Sequence, residues 1–241
     1  MLVDSSDTDV FVNLVYHLHK TWTLQKLYVK RGTSKTKKTV PVHQLIEQLD
    51  SKLVSCLVAI HALSGCDSTS KVGPKLAGLK VSMDLSLLQE FGVAVLSQQM
   101  INNAEMFLVS TLKKSDCSTF DEYRWEQYHN SKLELDFNQL VCCSSTIQEH
   151  IKRAYLQCKM WLQAPTPAST NPDPLEYGYE ETEDGIRPVI LPVPCRPEDL
   201  PPACKCPTSC MSVKTCTCRG KNIKCVTFCA YVKAKCRNPT K

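Results

Sequence analysis

The sequence lacks the features of membrane and exported proteins. No apolar run in its 241 residues approaches the roughly 18 residues of a membrane-spanning helix. The first ten residues, MLVDSSDTDV, are acidic and do not have the basic and then apolar layout of an export signal. We therefore expect an intracellular protein, nuclear or cytoplasmic, whose cysteines stay reduced because disulfides are rare in that environment.

Acidic residues are missing from one end of the chain. Residues 204–241 contain nine Lys or Arg and no Asp or Glu. Residues 1–203 contain 20 basic and 24 acidic residues, a net charge of −4. Because a cationic segment attracts polyanions, we expect the tail to bind nucleic acid, DNA being the expected class, and we expect no membrane partner.

Cysteines are concentrated in the same tail. Eight of the 15 cysteines lie in residues 204–241, at gaps of one to six residues. Thiolates at such gaps can converge on tetrahedral Zn²⁺, so the tail is predicted to be a small zinc-stapled module. A disulfide framework stays open as the alternative, since an unrecognised secretion route would favour it. The predicted zinc ligands are Cys204, Cys206, Cys210, Cys216, Cys218, Cys225, Cys229 and Cys236.

The cysteine spacing resembles the tesmin-like CXC module, in which nine cysteines hold three zinc ions through bridging thiolates. Tyr231 stands where the module has its next cysteine, and Thr215 stands where it has a DNA-contacting tyrosine. Eight thiolates suit two separate four-sulfur sites equally well, so both arrangements remain open, as does a zinc staple without a nucleic-acid role. The predicted phosphate contacts of the tail are Lys214, Arg219, Lys221 and Lys224.

The rest of the chain predicts an α/β fold that is mostly helical, with a small and partly parallel sheet. Residues 8–16 (TDVFVNLVY) form an apolar, β-branched run typical of a buried strand. Residues 26–30 and 38–43 flank Gly32 and predict a hairpin or paired edge strands. Apolar residues at helical spacing predict helices over 43–49, 53–63, 84–91, 98–112, 119–128 and 146–162.

A change of composition marks the end of this body. Residues 164–203 hold ten of the 14 prolines and eight acidic residues, which is typical of an extended linker. Turns around Tyr177, Tyr179 and Ile186 that dock on the body are the alternative. The predicted organisation is a body over 1–163, a linker over 164–203 and the cysteine-rich region over 204–241.

Two polar motifs of the body are candidates for chemistry. Asp7 and Asp9 precede the predicted strand, and Asp67 belongs to a Gly-Cys-Asp loop. Carboxylates that meet at the mouth of a sheet can hold Mg²⁺ or Mn²⁺ through oxygen ligands. Taken separately, the first motif is also compatible with a polar turn capped by Asp7, and the second with a helix that ends at Gly65.

Taken together, these motifs resemble the flap-endonuclease branch of the PIN-like nucleases. That resemblance implies that Asp7, Asp9 and Asp67 are the Mg²⁺ or Mn²⁺ carboxylates and that Gly73, Pro74 and Lys75 grip the DNA backbone. The upstream carboxylates of the family would lie before Met1, so the resemblance implies the C-terminal half of a nuclease domain with impaired catalysis. Body and tail together are similar to a group of transposon-associated animal proteins.

Three functions follow from these observations. The first is a zinc- and nucleic-acid-binding protein derived from a nuclease. The second is an active metal-dependent DNA nuclease, and the third is a zinc-stapled scaffold for protein interactions. Among the histidines, His17 and His19 are interpreted as surface residues, although a metal pair stays open, and His61 as a core residue or a support for a metal ligand.

Overall fold

The computed structural model of the protein falls into two units. The first unit comprises residues 1–119 and 144–190, and the second comprises residues 120–143 and 191–241. No helix in the described ranges combines the length and the apolar character needed to cross a bilayer. The residues described are 1–33, 36–72, 83–112, 116–130, 140–166, 172–191, 204, 206, 210, 212–214, 216–222 and 225, with side chains omitted at 128–130.

A three-stranded mixed sheet belongs to the first unit. Its strands are β1 (Leu2–Asp4), β2 (Tyr28–Arg31) and β3 (Lys38–Pro41). β1 pairs with β2 in parallel, and β2 pairs with β3 in the antiparallel sense. The predicted strand pair around Gly32 is therefore confirmed, as is the expectation of a small, partly parallel sheet in an α/β fold.

The segment predicted as a buried strand, residues 8–16, is the beginning of helix α1 (Thr8–Lys20). Asp7 caps the helix, because its side chain accepts a hydrogen bond from the backbone N–H of Asp9 at 2.8 Å. The strand prediction is wrong because the apolar side chains fall on one helical face, and their burial outweighs a weak β preference. That face contains Phe11, Leu14, Val15 and Leu18, which pack into one hydrophobic cluster with the sheet.

Helix α3 (Ser51–Ser64) is buried on nearly all sides. It begins at Asp50, whose side chain accepts hydrogen bonds from two backbone N–H groups, and it ends at Gly65. A helix that is apolar all round lies inside a protein, and each fully buried aliphatic side chain stabilises the fold by about 1.5–3 kcal/mol. Its buried apolar residues are Val54, Cys56, Val58, Ala59, Ile60, Ala62 and Leu63.

Five of the six predicted helices are confirmed, with ends shifted by a few residues. One of them is α3, described above. The other four are α2 (Val42–Gln48), α4 (Gln98–Ser110), α5 (Phe120–Asn130) and α6 (Ser144–Gln163). The helix predicted over 84–91 shrinks to one 3-10 turn at Leu85–Leu88, capped by Asp84. The second unit also contains α7 (Thr217–Gly220).

Two buried histidines fasten helix α6 to its neighbours. His150 Nε2 donates to the backbone carbonyl of Leu63 at 2.9 Å, and His17 Nε2 donates to that of Trp161 at 2.9 Å. A carbonyl only accepts, so Nε2 carries the proton in both rings. Within the described part of the chain, neither Nδ1 atom has a hydrogen-bond partner. The surface interpretation of His17 is wrong, because its side chain lies at the α1–α6 contact, where it is 3% exposed.

A hairpin lies in the stretch whose composition predicted a linker. It follows a 3-10 turn at Pro174–Glu176 and consists of β4 (Tyr179–Thr182) and β5 (Gly185–Pro188). Docking is visible at Tyr177, whose ring stacks on Tyr155 of α6 at 5.5 Å between centroids. The docked-turn alternative is therefore confirmed for Tyr177, while Ile186 is exposed. The first unit continues to residue 190. Proline misleads here because it is tolerated at helix starts and strand ends.

The buried imidazole of His150 predicts a stability that declines in acid. Burial lowers the pKa of His150 below its ordinary value of 6.5. The unfolded chain therefore binds a proton more readily than the folded one. This group leaves the free energy of unfolding undiminished above pH 6.5 and lowers it as the pH drops below that value.

We expect the free energy of unfolding, measured by denaturant titration down to about pH 5, to lose up to about 1.4 kcal/mol per pH unit from this group. His150→Gln keeps an N–H donor for Leu63 but does not titrate, so its curve should be flatter. Parallel pH curves for the two proteins would contradict the assignment.

Candidate functional site

An acidic pocket of about 600 Å³ opens where α1 begins and α3 ends. All three predicted metal carboxylates, Asp7, Asp9 and Asp67, line this pocket. Asp7 and Asp9, which are predicted to precede a strand, instead follow strand β1 and lie at the start of helix α1. The two sequence motifs therefore meet in space, while their role as metal ligands stays a prediction.

A short hydrogen bond joins the two helices at the pocket. His61 Nε2, on α3, donates to Asp9 Oδ1, on α1, at 2.6 Å. The side chains of His61 and Asp9 are 8% and 23% exposed. The His61 ring also stacks on Trp161, with centroids 5.6 Å apart and planes inclined by 11°. Asp9 is thus held in one orientation by a ring that is itself fixed by packing, while a supporting role of His61 at a metal site stays a prediction.

The Gly-Cys-Asp loop is closed tightly at its base. Gly65 has φ +113°, a left-handed conformation that favours glycine. A Cβ atom there would lie 2.6 Å from the backbone Cα of Lys71. The Val72 N–H also donates to the Ser64 carbonyl at 3.1 Å, so the chain returns beside the end of α3. Gly65 ends α3 as the cap interpretation predicted, and the loop still presents Asp67 to the pocket.

Further hydrogen bonds hold the middle of this loop. Cys66 and Thr69 form an isolated β-bridge, and the Thr69 hydroxyl donates to the Ala62 carbonyl at 2.8 Å. The Ser68 hydroxyl donates to Gln157 Oε1 on α6 at 2.6 Å. The next predicted site residues, Gly73, Pro74 and Lys75, lie outside the described residues.

A cluster of four buried thiols in the second unit could hold a metal ion. Their four sulfur atoms all lie within 4.8 Å of one another, and no other group of three or more Cys, His, Asp or Glu side chains in the described ranges is as close. The Sγ–Sγ distance is 3.6 Å between Cys204 and Cys210, 3.8 Å between Cys204 and Cys225, and 3.9 Å between Cys216 and Cys225. Four sulfurs at about 2.3 Å from a tetrahedral zinc stand about 3.8 Å apart, so the spacing fits that ion. The four thiols, here called the thiol cluster, belong to Cys204, Cys210, Cys216 and Cys225.

A fifth thiol adjoins the thiol cluster. Cys206 is buried and hydrogen-bonds with Cys204, Cys210 and Cys216. Burial, with the hydrogen bond of Cys204, raises the pKa of Cys206 to about 11. Thiols this close cannot all ionise unless a cation offsets their charge, and a bound dication does so. Cys218 is also buried, whereas the predicted ligands Cys229 and Cys236 lie outside the described residues.

Three of the four predicted phosphate contacts of the tail lie in α7 or close to it in the sequence. Lys214 and Lys221 are exposed and Arg219 is half-buried. The backbone N–H of Arg219 donates to the Cys216 sulfur at 3.5 Å, so the main chain at this residue is held by a member of the thiol cluster. The fourth predicted contact, Lys224, lies outside the described residues.

Sequence reasoning did not identify two cations near the acidic pocket. Lys71 lines the pocket, and Arg31 reaches its rim by donating to Thr8 Oγ1 at 3.4 Å. The signal for Lys71 is its place four residues after Asp67 in a closed loop. The signal for Arg31 is a long stretch of sequence without acidic residues.

Loss of one thiol should remove the metal. We expect the full chain, purified under reducing conditions, to contain zinc that a chelator releases, and Cys210→Ser to contain less because the four-sulfur set is broken. Cys66→Ser is the matched control, since a serine there keeps a hydroxyl for Ser68 and Thr69. Metal analysis decides: a wild-type protein without zinc, or equal zinc in both variants, would contradict the metal site.

No protein-family model, no curated protein and no solved structure matches this chain. What the protein can bind is therefore indicated by its own side chains, namely a buried thiol cluster within a basic tail and an acidic pocket within the first unit.

Proposed function

We propose that this protein binds zinc through its cysteine-rich tail and binds nucleic acid through the basic residues of that tail. The thiol cluster within a tail free of acidic residues carries this proposal. We further propose that the first unit derives from a PIN-like, metal-dependent nuclease whose catalysis is impaired. A reducing compartment, nuclear or cytoplasmic, fits a function that depends on free thiols.

The geometry of the thiols supports zinc over disulfides. The shortest of the Sγ–Sγ distances given above for the thiol cluster, 3.6 Å between Cys204 and Cys210, is far longer than the roughly 2.05 Å of a disulfide bond. All four thiols are buried at spacings that suit a tetrahedral ion. A short segment with few apolar residues also gains most of its folding energy from such a metal.

The position of Cys206 favours ions that share sulfurs. In two separate four-cysteine sites, each sulfur would serve one ion and the two sets would stand apart. Cys206 instead hydrogen-bonds with three members of the thiol cluster. We therefore favour a multinuclear arrangement with bridging thiolates, as the resemblance to the CXC module implies.

Charge supports nucleic acid as the partner. The nine positive and no negative charges of residues 204–241 contrast with the net charge of −4 on residues 1–203. Lysine and arginine side chains that neutralise phosphates release counterions, which makes binding strongly salt-dependent. The backbone contact of Arg219 with Cys216 couples this surface to the metal, so loss of zinc should weaken binding.

The acidic pocket supports a nuclease origin and, at the same time, impaired catalysis. Its three aspartates converge from the two motifs shared with flap endonucleases. Cleavage by two metal ions requires ligands that clamp ions about 3.5–4 Å apart. Among the described residues, these aspartates do not form a set whose oxygens all lie within 4.8 Å.

Neutralising tail cations should weaken nucleic-acid binding in a salt-dependent way. For the zinc-loaded full chain and labelled oligo(dT), we expect Lys214→Gln/Lys221→Gln to reduce the slope of log affinity against log salt by about 1.4. Fluorescence anisotropy measures the affinity at several salt concentrations. A zinc chelator should lower the affinity, and added zinc should restore it.

The matched control for this experiment is Lys20→Gln/Lys52→Gln. It removes the same charge from exposed positions of the first unit, and we expect the slope of the wild type. An unchanged slope in the tail variant would leave zinc as a staple of an interaction scaffold and would refute the nucleic-acid role of the tail.

An active Mg²⁺- or Mn²⁺-dependent nuclease is the second candidate, favoured by the convergence of three aspartates in one pocket. From the spacing of their oxygens, we expect flapped and single-stranded DNA to remain uncut with either ion. Gel analysis of labelled substrates tests this. Cleavage that is lost in Asp67→Asn and kept in Asp184→Asn, an exposed position on the β4–β5 turn, would establish the second candidate instead.

A further inference from the structure

A basic hairpin stands beside the acidic pocket. Residues 10–46 contain seven Lys or Arg and no Asp or Glu, and six of the seven lie in residues 26–38, on and around β2 and β3. The net charge of residues 1–203 is −4, so this local excess of positive charge runs against the balance of the surrounding chain. It is not explained by any function assigned above.

The sheet places this charge at the edge that faces the pocket. Arg31 ends β2, and its register partner Lys38 begins β3. Since β1 and β2 are parallel, both residues lie at the end of the sheet from which β1 leads into Asp7 and Asp9. Direct contacts confirm the proximity: the Ser6 hydroxyl donates to the Gly32 carbonyl at 3.1 Å.

Arg31 is fixed in place. Its guanidinium lies 4.4 Å from the centre of the Phe11 ring, a cation–π geometry, and donates to the Thr8 hydroxyl of the pocket wall at 3.4 Å. A guanidinium has five N–H donors in a planar fork that suits phosphate oxygens. Most of these donors have no partner among the described residues and can bind a ligand.

Arg31 and Lys38 form no ion pair with any carboxylate of the described residues, although three aspartates line the adjacent pocket. Lys37, their neighbour, behaves differently, because its Nζ contacts Asp4 Oδ2 at 2.8 Å. Lysines on an edge strand also protect it from pairing with other chains. That purpose explains Lys38 on the edge strand β3 but not Arg31, which belongs to the central strand.

We propose that Arg31 and Lys38 form a phosphate-binding rim that holds the backbone of a DNA strand across the acidic pocket. The identity of the polyanion rests on the proposed function, whereas the place of the rim rests on the sheet geometry. These two cations beside the pocket, and Lys71 on its lining, offset the repulsion between aspartates and phosphates. The strand would therefore be positioned over Asp7, Asp9 and Asp67.

The test measures the salt dependence of binding by the zinc-loaded full chain to labelled oligo(dT). We expect Arg31→Gln/Lys38→Gln to reduce the slope of log affinity against log salt by about 1.4, and Lys38→Gln alone by about 0.7. Arg31→Lys keeps the charge and should keep the slope. The control is Lys20→Gln/Lys52→Gln, whose positions lie at the other ends of α1 and α3, where His19 contacts Ser51.

Folding cannot account for the expected pattern. Arg31→Gln also removes the contact with Phe11, but Lys38 has no such contact among the described residues, so the single Lys38→Gln variant separates charge from stability. Zinc content and thermal unfolding of each variant are measured alongside.

The outcomes separate this proposal from the proposed function. Slopes equal to that of the control overturn the rim, and the tail function stands if the tail variant still loses its slope. If the slope is reduced in the Arg31→Gln/Lys38→Gln and Lys38→Gln variants but unchanged in Lys214→Gln/Lys221→Gln, the rim is supported and the nucleic-acid role of the tail is overturned. A wild type that does not bind overturns both. Competition by polyglutamate equal to that by oligo(dT), at equal charge, overturns the phosphate assignment.

Discussion

The burial of helix α3 is the constraint on which the first unit depends. With apolar residues on nearly every face, α3 is stable only if other elements surround it, and α1, α4 and α6 do so. Its two ends are also sharply defined, by the Asp50 cap and by Gly65. Enclosure brings the C-terminal end of α3 to the N-terminal end of α1, and the acidic pocket is the space between them. The site is thus a consequence of core packing, with polar side chains added at one end.

Much of this fold follows from local patterns. Apolar spacing predicts α4 and α6 because each buries one face, and alternation around Gly32 predicts the β2–β3 pair. Local patterns give the wrong prediction for residues 8–16. Their β-branched side chains favour a strand locally, and the packing of α1 on α3 favours the helix. The β4–β5 hairpin is also not predicted from local patterns, for a related reason. It lies within residues 164–203, whose proline-rich composition resembles a linker, and it is ordered by the stacking of Tyr177 on Tyr155, which is far away in the sequence.

The candidate sites show the same division. Cysteine gaps predict a thiol cluster because its ligands are close along the chain, and four of the eight predicted thiols converge in the structure. That Asp7, Asp9 and Asp67 line one pocket was indicated by the resemblance to flap endonucleases, since the distance between residues far apart along the chain is not a local property. His61 and Arg31 show what sequence patterns do not predict. Each acquires its place from a partner in another element, Asp9 for one and Phe11 for the other.

Closure of the loop at Gly65 determines how much entropy a ligand must remove. A loop that samples many conformations loses that freedom on binding, at about 1–2 kcal/mol for each residue fixed. Here the backbone of Lys71 lies against Gly65 so closely that even a methyl group would not fit, and hydrogen bonds hold Cys66, Ser68 and Thr69. Most of the ordering has therefore occurred before any ligand arrives. The loop that presents Asp67 is a preorganised one, and glycine at position 65 is what allows it to close.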